Sequence, residues 1–239
     1  MAKIVLVPGS WLGAWAWTDV TERLRTAGHE VHPLTLTGMG DRAHLGSPET
    51  DLDTHVQDVV AALEMQDLGD VILVGHSYAG VVVTLVADRA RDRIRRLVYL
   101  AGLIPQDGVA LIDANGPEVR EILEQVVRDR GDGWKLPVQD DKELTTYWGD
   151  HGMTGDVLAR FRSHVVGQPF GTYRQVVRVG QGAASLPRTY VNCTADVLQP
   201  PADDGEDGWQ VVDLAAGHWP MFTRPAETAA LLDRIAQQA

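Results

Sequence analysis

Val71-Ile72-Leu73-Val74-Gly75-His76-Ser77-Tyr78-Ala79-Gly80-Val81-Val82-Val83 sets one serine between two glycines, with an apolar run on either side. The stretch reads as a short buried strand, Val71 to Val74, that turns at once into a helix from about Tyr78 to Arg91. So tight a turn holds the Ser77 side chain clear of the backbone at the carboxyl edge of a sheet, the arrangement of a nucleophile elbow. Gly75 and Gly80 fit that reading, because a Cβ at either position would collide with a neighbouring strand or helix.

Outward from the elbow the same alternation continues. Lys3 to Val7 and Glu30 to Leu36 read as strands, with a helix from Trp17 to Ala27 between them that stops at Gly28. Asp53 or Thr54 caps a further helix whose Val56, Val59, Val60 and Leu63 share one face. Ile94 to Ala101 follows as a strand. After a long interval the strands Arg188 to Cys193 and Gln210 to Leu214 and a helix from Pro225 to Gln238 close the chain. Strand–helix alternation of this kind implies a mostly parallel sheet with helices on both faces. The interval carries helical patterns, Pro117 to Arg128 and Thr154 to Val166, and no strand pattern. The expected organisation is therefore an α/β core from 1–106 and 187–239, with a helical cap inserted at 107–186. Between Asp196 and Trp209, Pro200-Pro201 and an acidic run do not favour a covering helix.

Composition narrows the function. The 239 residues carry 33 acidic and 21 basic side chains, a formal charge of -12, so a polyphosphate partner meets repulsion and nucleic-acid binding is excluded. Cys193 is the one cysteine, which rules out an internal disulfide and a multi-cysteine metal site. The apolar run at the N-terminus is too short for a signal peptide, and no segment approaches the roughly 20 apolar residues of a membrane span. A cytoplasmic protein with a small-molecule substrate, no membrane partner, no metal and no cofactor is expected; a homodimer is allowed.

A serine hydroxyl needs a base to take its proton. Of the eight histidines, His218 is the candidate, since Ala215-Ala216-Gly217-His218-Trp219-Pro220 follows the last strand and reaches the same sheet edge as Ser77. His76 adjoins Ser77 and points to the other side of the turn, while His151 and His164 fall in the cap. His29, His32, His44 and His55 have no comparable placement. A carboxylate must fix the imidazole tautomer. Asp196, after the strand Arg188 to Cys193, gives the chain order Ser77, Asp196, His218 found in α/β-hydrolases. Asp107, after the strand that follows the elbow, and Asp203, in the acidic run, are rivals. The backbone N–H of Tyr78 is one candidate oxyanion donor, and Ser10, in the loop Val7-Pro8-Gly9-Ser10-Trp11-Leu12-Gly13-Ala14-Trp15, is the other. Trp15 and Trp17 are expected in the core and Trp11 near the pocket.

Pro8-Gly9-Ser10-Trp11-Leu12-Gly13-Ala14-Trp15-Ala16-Trp17, Leu36-Thr37-Gly38-Met39-Gly40-Asp41-Arg42, Leu52-Asp53-Thr54-His55-Val56-Gln57-Asp58-Val59-Val60 and Gly75-His76-Ser77-Tyr78-Ala79-Gly80 together resemble the plant methylesterase and hydroxynitrile lyase branch of the α/β-hydrolases and its bacterial esterase relatives. The likeness runs over roughly the first 110 residues and returns at Thr189 to Asp196 and Gly217 to His218; the cap gives no match. It implies an α/β-hydrolase fold, Ser77 as nucleophile, His218 as base, Asp196 as acid and Ser10 and Tyr78 as oxyanion donors. The chain departs from the branch in having Pro8-Gly9 where its members have His-Gly. Trp219 follows the base where the lyases have a lysine, and Gly9 stands at their threonine.

The expected activity is hydrolysis of an ester of a small, mainly apolar molecule through an acyl-enzyme. Trp11, Trp134, Tyr147, Trp148, Phe170 and Trp219 are the candidate pocket walls. The alternatives are a lyase or biosynthetic cyclase that reuses the triad as a base, and a ligand-binding α/β-hydrolase with little turnover.

Overall fold

The computed structural model describes residues 1–149, 151–201 and 208–238. The core is a six-stranded sheet built from β1 (Lys3–Val7), β2 (Glu30–Pro33), β3 (Val71–His76), β4 (Ile94–Leu100), β7 (Arg188–Cys193) and β8 (Trp209–Leu214). Its strand order is β2-β1-β3-β4-β7-β8, and every neighbouring pair is parallel. Side-chain alternation divides the strands between two apolar layers. Ile4 and Leu6 of β1 face the layer that holds Val20 and Leu24 of α1 (Thr18–Thr26) and Leu231, Leu232 and Ile235 of α9 (Pro225–Gln238). Val5 and Val7 face Val56, Val59 and Val60 of α2 (Leu52–Met65) and Val82, Val83 and Val86 of α3 (Ala79–Ala90).

All strands of the sheet run the same way, so the segments leaving β1, β3, β7 and β8 emerge at one edge. Those segments carry Ser10, Ser77, Asp196 and His218. From β1 the chain goes to β2 on one side and then crosses back to β3 on the other side of β1, and a switch of direction of this kind opens a crevice at the carboxyl ends of the strands.

Local chemistry moves some boundaries from those expected. The helix α2 begins earlier: its cap is Asp51, not Asp53 or Thr54, because the Asp51 carboxylate accepts from the Thr54 N–H at 2.9 Å and the Thr54 hydroxyl reaches back to the Asp51 N–H. Strand β2 ends at Pro33 and so stops short of Leu36, although the Leu34 N–H still donates to the Leu6 carbonyl at 2.9 Å.

Between β4 and β7 lie α4 (Pro117–Arg130), α5 (Asp141–Trp148), α6 (Gly155–His164) and α7 (Gly171–Arg174). Contrary to the strand-free reading, this segment also holds β5 (Lys135–Leu136) and β6 (Gln168–Pro169), paired antiparallel. Two residues per strand are too few to show the alternation that marks a strand in sequence. The segment docks through Val127, Leu136, Leu144, Met153, Phe161 and Phe170, which join the same apolar layer as Trp219 and Phe222. After Asp196 the described residues 197–201 and 208 form no helix, and the acidic run with Asp203 lies outside the described residues. A short helix, α8 (Pro220–Thr223), follows the His218 loop.

Candidate active site

The elbow is built by packing. Ser77 has φ +53°, a left-handed conformation that costs free energy for a residue with a Cβ and is held by its surroundings. Its N–H donates to the Leu100 carbonyl at 3.2 Å, and its carbonyl accepts from the N–H groups of Gly80 and Leu103, both at 2.9 Å. A Cβ on Gly75 would stand 2.6 Å from the Ala79 oxygen, and one on Gly80 would stand 2.4 Å from the Leu103 oxygen. Neither backbone can yield without unseating the helix from the sheet.

Three side chains meet at the edge. His218 Nε2 lies 2.8 Å from Ser77 Oγ, and His218 Nδ1 lies 2.7 Å from Asp196 Oδ2. A carboxylate only accepts, so Nδ1 carries the hydrogen and the Nε2 lone pair faces the serine hydroxyl. Asp196 Oδ1 accepts from the Val197 N–H at 2.7 Å and, more weakly, from the Leu198 N–H, which orients the carboxylate. The His218 and Asp196 side chains are each 1 % exposed. The rival Asp107 is spent elsewhere: its Oδ1 accepts from the Val179 N–H at 3.0 Å in an exposed loop.

His76 does point away from Ser77, and it has a partner at the site that the sequence did not reveal. Its Nε2 donates to the backbone carbonyl of His218 at 2.8 Å. Its Nδ1 is buried with no hydrogen-bond partner among the described residues, and burial holds this imidazole well below its ordinary pKa, so it is neutral. Gly9 approaches closely, since a Cβ there would meet His76 Nδ1 at 2.7 Å and the Ser77 Cβ at 2.9 Å. This backbone has no room for the threonine that the lyases place at Gly9.

Around the imidazole the aromatic residues divide. Trp148, at the end of α5, stacks on His218 with ring centroids 3.9 Å apart and an angle of 26°. Its indole N–H donates to Gln139 at 2.8 Å. Tyr147, about 100° further round the same helix, is exposed and makes no ring contact among the described residues. Trp219 is 1 % exposed and packs edge-on against His218, Trp148 and Phe161. It offers a ligand almost no surface and packs as core against His218, away from its expected place in the wall. Phe170 is likewise buried, at the start of α7. Trp11 is buried with φ +66°, donates to the Leu136 carbonyl at 3.3 Å and so ties the β1 loop to β5. Trp134 lies under the Lys135 ammonium, 4.6 Å from its ring centre. Trp17 is in the core as expected, whereas Trp15 is only half-buried and stacks on Phe222.

The sequence reading missed Tyr173 and gave His55 no role. The hydroxyls of Ser10 and Tyr173 share a hydrogen bond of 2.7 Å, and the Tyr173 ring stacks on that of Tyr78 at 5.6 Å and 13°. His55 is fully buried between the Thr37 carbonyl, 2.8 Å from Nε2, and the Tyr78 hydroxyl, 3.0 Å from Nδ1. Burial lowers its pKa to about 4, so the ring is neutral, with Nε2–H donating to Thr37 and Nδ1 accepting from Tyr78. Burial also pushes the Tyr78 and Tyr173 hydroxyls up, which keeps both protonated. The backbone N–H groups of Ser10 and Tyr78 donate to no acceptor among the described residues.

The site is nearly closed, with Ser77 7 % exposed. The more open depressions lie elsewhere. One, about 710 Å³, runs along α2 between the ion pairs Arg42–Asp58 and Arg89–Asp53, which already neutralise each other. No group of three or more His, Cys, Asp or Glu side chains among the described residues is placed to hold a metal ion, and no described helix is long and apolar enough to cross a membrane.

A serine on a strained strand-to-helix turn, a histidine from the loop after the last strand and an aspartate from the loop before it, all at one edge of a parallel sheet, define the class. The chain belongs to the alpha/beta hydrolase family, whose model matches residues 4–231. Within that family it is 37 % identical to the carbendazim hydrolyzing esterase of Nocardioides sp. (strain SG-4G), over 96 % of this chain and 97 % of that protein. It is 27 % identical to methylesterase 7 of Arabidopsis thaliana, over 99 % and 96 % of the two chains. The solved structure of an extracellular alpha/beta-hydrolase from a Paenibacillus species matches with a TM-score of 0.85 at 22 % identity, covering 99 % of this chain and 100 % of that one, a likeness of fold.

Proposed function

We propose that the protein is a cofactor-independent serine carboxylesterase that cleaves an ester of a small, mainly apolar molecule. The observation that carries the reading is the continuous hydrogen-bonded line from Ser77 Oγ through His218 to Asp196, at 2.8 and 2.7 Å. Ser77 attacks the ester carbonyl while His218 Nε2 takes its proton and then passes it to the leaving alcohol. Asp196 stabilises the imidazolium that forms. The developing oxyanion is met by the N–H groups of Ser10 and Tyr78, which have no other described acceptor. Water then repeats the sequence on the acyl-enzyme and frees the acid. In this reading residues 107–186 act as the cap, and Trp148, flat against His218, supplies apolar wall. Two relatives named as an esterase and a methylesterase support ester chemistry. A lyase that reuses the triad as a base is disfavoured by the closeness of Gly9 to His76 and Ser77 and by buried Trp219, which brings no cation beside the base. A cytoplasmic setting belongs to the same proposal and rests on the single, buried cysteine.

The test has two parts. A fluorophosphonate should label Ser77, as located by peptide mass mapping. Short-chain aryl esters hydrolysed in ¹⁸O-water should release acid that carries the label. An adduct on another serine overturns the mechanism, and cleavage of a cyanohydrin or β-hydroxy ketone with no ester turnover replaces the reading with a lyase.

A further inference from the structure

We infer that Tyr173, on the short cap helix α7, is a positioning residue that joins the two halves of the oxyanion site; this deepens the esterase reading and rests on it. Ser10 and Tyr78 come from different strands, β1 and β3, whose pairing ends at Val7 opposite Gly75. Beyond that point the ladder no longer sets the spacing of their N–H groups. A side-chain path does. The Ser10 hydroxyl meets the Tyr173 hydroxyl at 2.7 Å, and the Tyr173 ring lies parallel to the Tyr78 ring. On its far side Tyr78 donates to His55 Nδ1, while His55 is held in one tautomer by the Thr37 carbonyl. The Tyr78 ring is thereby pinned between α2 and the cap.

The β1 loop depends on the cap at two further points. The Val166 N–H donates to the Trp11 carbonyl at 3.2 Å, and the Trp11 indole donates to the Leu136 carbonyl. Trp11 itself sits at φ +66°, a conformation that external contacts must hold. A loop held this way places the Ser10 N–H only as well as the cap places Tyr173. Displacement of a reacting geometry by about 1 Å costs up to about a hundredfold in rate, so loss of this one tie falls on turnover rather than on substrate binding.

Tyr173→Phe and Ser10→Ala each delete the same hydrogen bond, keep the backbone N–H of Ser10, and in the first case keep the ring stack. Each should lower kcat for an aryl ester about tenfold, with KM unchanged within about twofold. The double variant should lose no more than either single, because both remove one interaction. Labelling of Ser77 by fluorophosphonate should slow in parallel, and the pH profile should keep its shape, since His218 and Asp196 are untouched. Tyr173→Leu, which also removes the stack, should lose more. KM rising at constant kcat would make the hydroxyls a substrate handle and overturn the inference, as would singles within twofold of the wild type or losses that multiply. A wild-type protein that hydrolyses no ester and leaves Ser77 unlabelled sinks the esterase reading and this inference with it. Wild-type turnover with indifferent Tyr173→Phe and Ser10→Ala variants sinks the inference alone.

Discussion

Two helices approach His218, and they are held in opposite ways. Helix α3, which begins just after Ser77, has nine consecutive buried residues, Ala79 to Ala87. Helix α5, which ends with Trp148 stacked on His218, buries only Leu144. The first is clamped between the sheet and α2, with small residues where backbones nearly touch. The second is held by a capping box between Asp140 and Glu143, by the ion pairs Arg130–Glu143 and Arg162–Asp141, by the Arg162 bond to the Gln139 carbonyl and by the Trp148 bond to Gln139. Exposed ion pairs contribute little each. Ser77 is therefore fixed by packing that tolerates no change of volume, whereas the tryptophan over His218 hangs on a few exchangeable polar ties.

That contrast is broken most directly at the carboxylate. Asp196→Asn leaves the shape of the site but favours the wrong imidazole tautomer, so kcat should fall by about 10⁴-fold, while Asp107→Asn, whose side chain serves only the Val179 N–H, should stay near wild type. Steady-state kinetics on an aryl ester decides it, and a damaging Asp107→Asn would move the acid to the other strand.

A second test compares the helices by stability. Gly80→Ala drives a Cβ to within 2.4 Å of a backbone oxygen and should destabilise the fold by about 3 kcal/mol or more. Tyr147→Ala on α5, at an exposed position, should change stability by no more than about 0.5 kcal/mol. Urea unfolding midpoints measure both. Equal losses would mean that the cap is packed as rigidly as the core.

A third effect is graded by pH. His55 titrates at about 4 in the folded protein, against about 6.5 for an ordinary imidazole, so between these values the unfolded chain binds more protons than the folded one. The stability contributed is complete above pH 6.5 and is lost as pH falls toward 4, by about 3 kcal/mol at the lower end. Denaturant titrations across that window should show the slope, and His55→Gln should flatten it. Buried His76 acts in the same direction. An unchanged slope in His55→Gln would place the acid sensitivity elsewhere.

Legibility followed the same divide between the two regions. The elbow was readable because its constraint is local: six residues, Gly75 to Gly80, contain the strand end, the turn and the close approaches that require glycine. Asp107 and Asp196 both fall between Ser77 and His218 in the chain, so order alone did not separate them; the direction of two loop side chains did. In the cap, helical periodicity showed which residues lie on one face but not what that face meets. Trp148 and Tyr147 are neighbours in sequence, yet one covers His218 and the other stands in solvent. Trp219 was expected in the wall because it follows His218, and it lies buried because the loop turns it edge-on against the imidazole. Tyr173 carried no signal at all, lying in a four-residue helix far from any motif.

By itself the sequence determined the parallel sheet, the turn at Ser77 and the edge at which serine, aspartate and histidine emerge, because apolar periodicity and glycine placement act over a few residues. Only the tertiary structure decided which carboxylate reaches His218, which tryptophan covers it, and that a tyrosine of the cap binds Ser10 while stacking on Tyr78. Those are contacts between residues 22 to 163 positions apart, set by the docking of one segment on another. Their geometry is fixed by close packing across the whole molecule, which no short stretch of chain encodes.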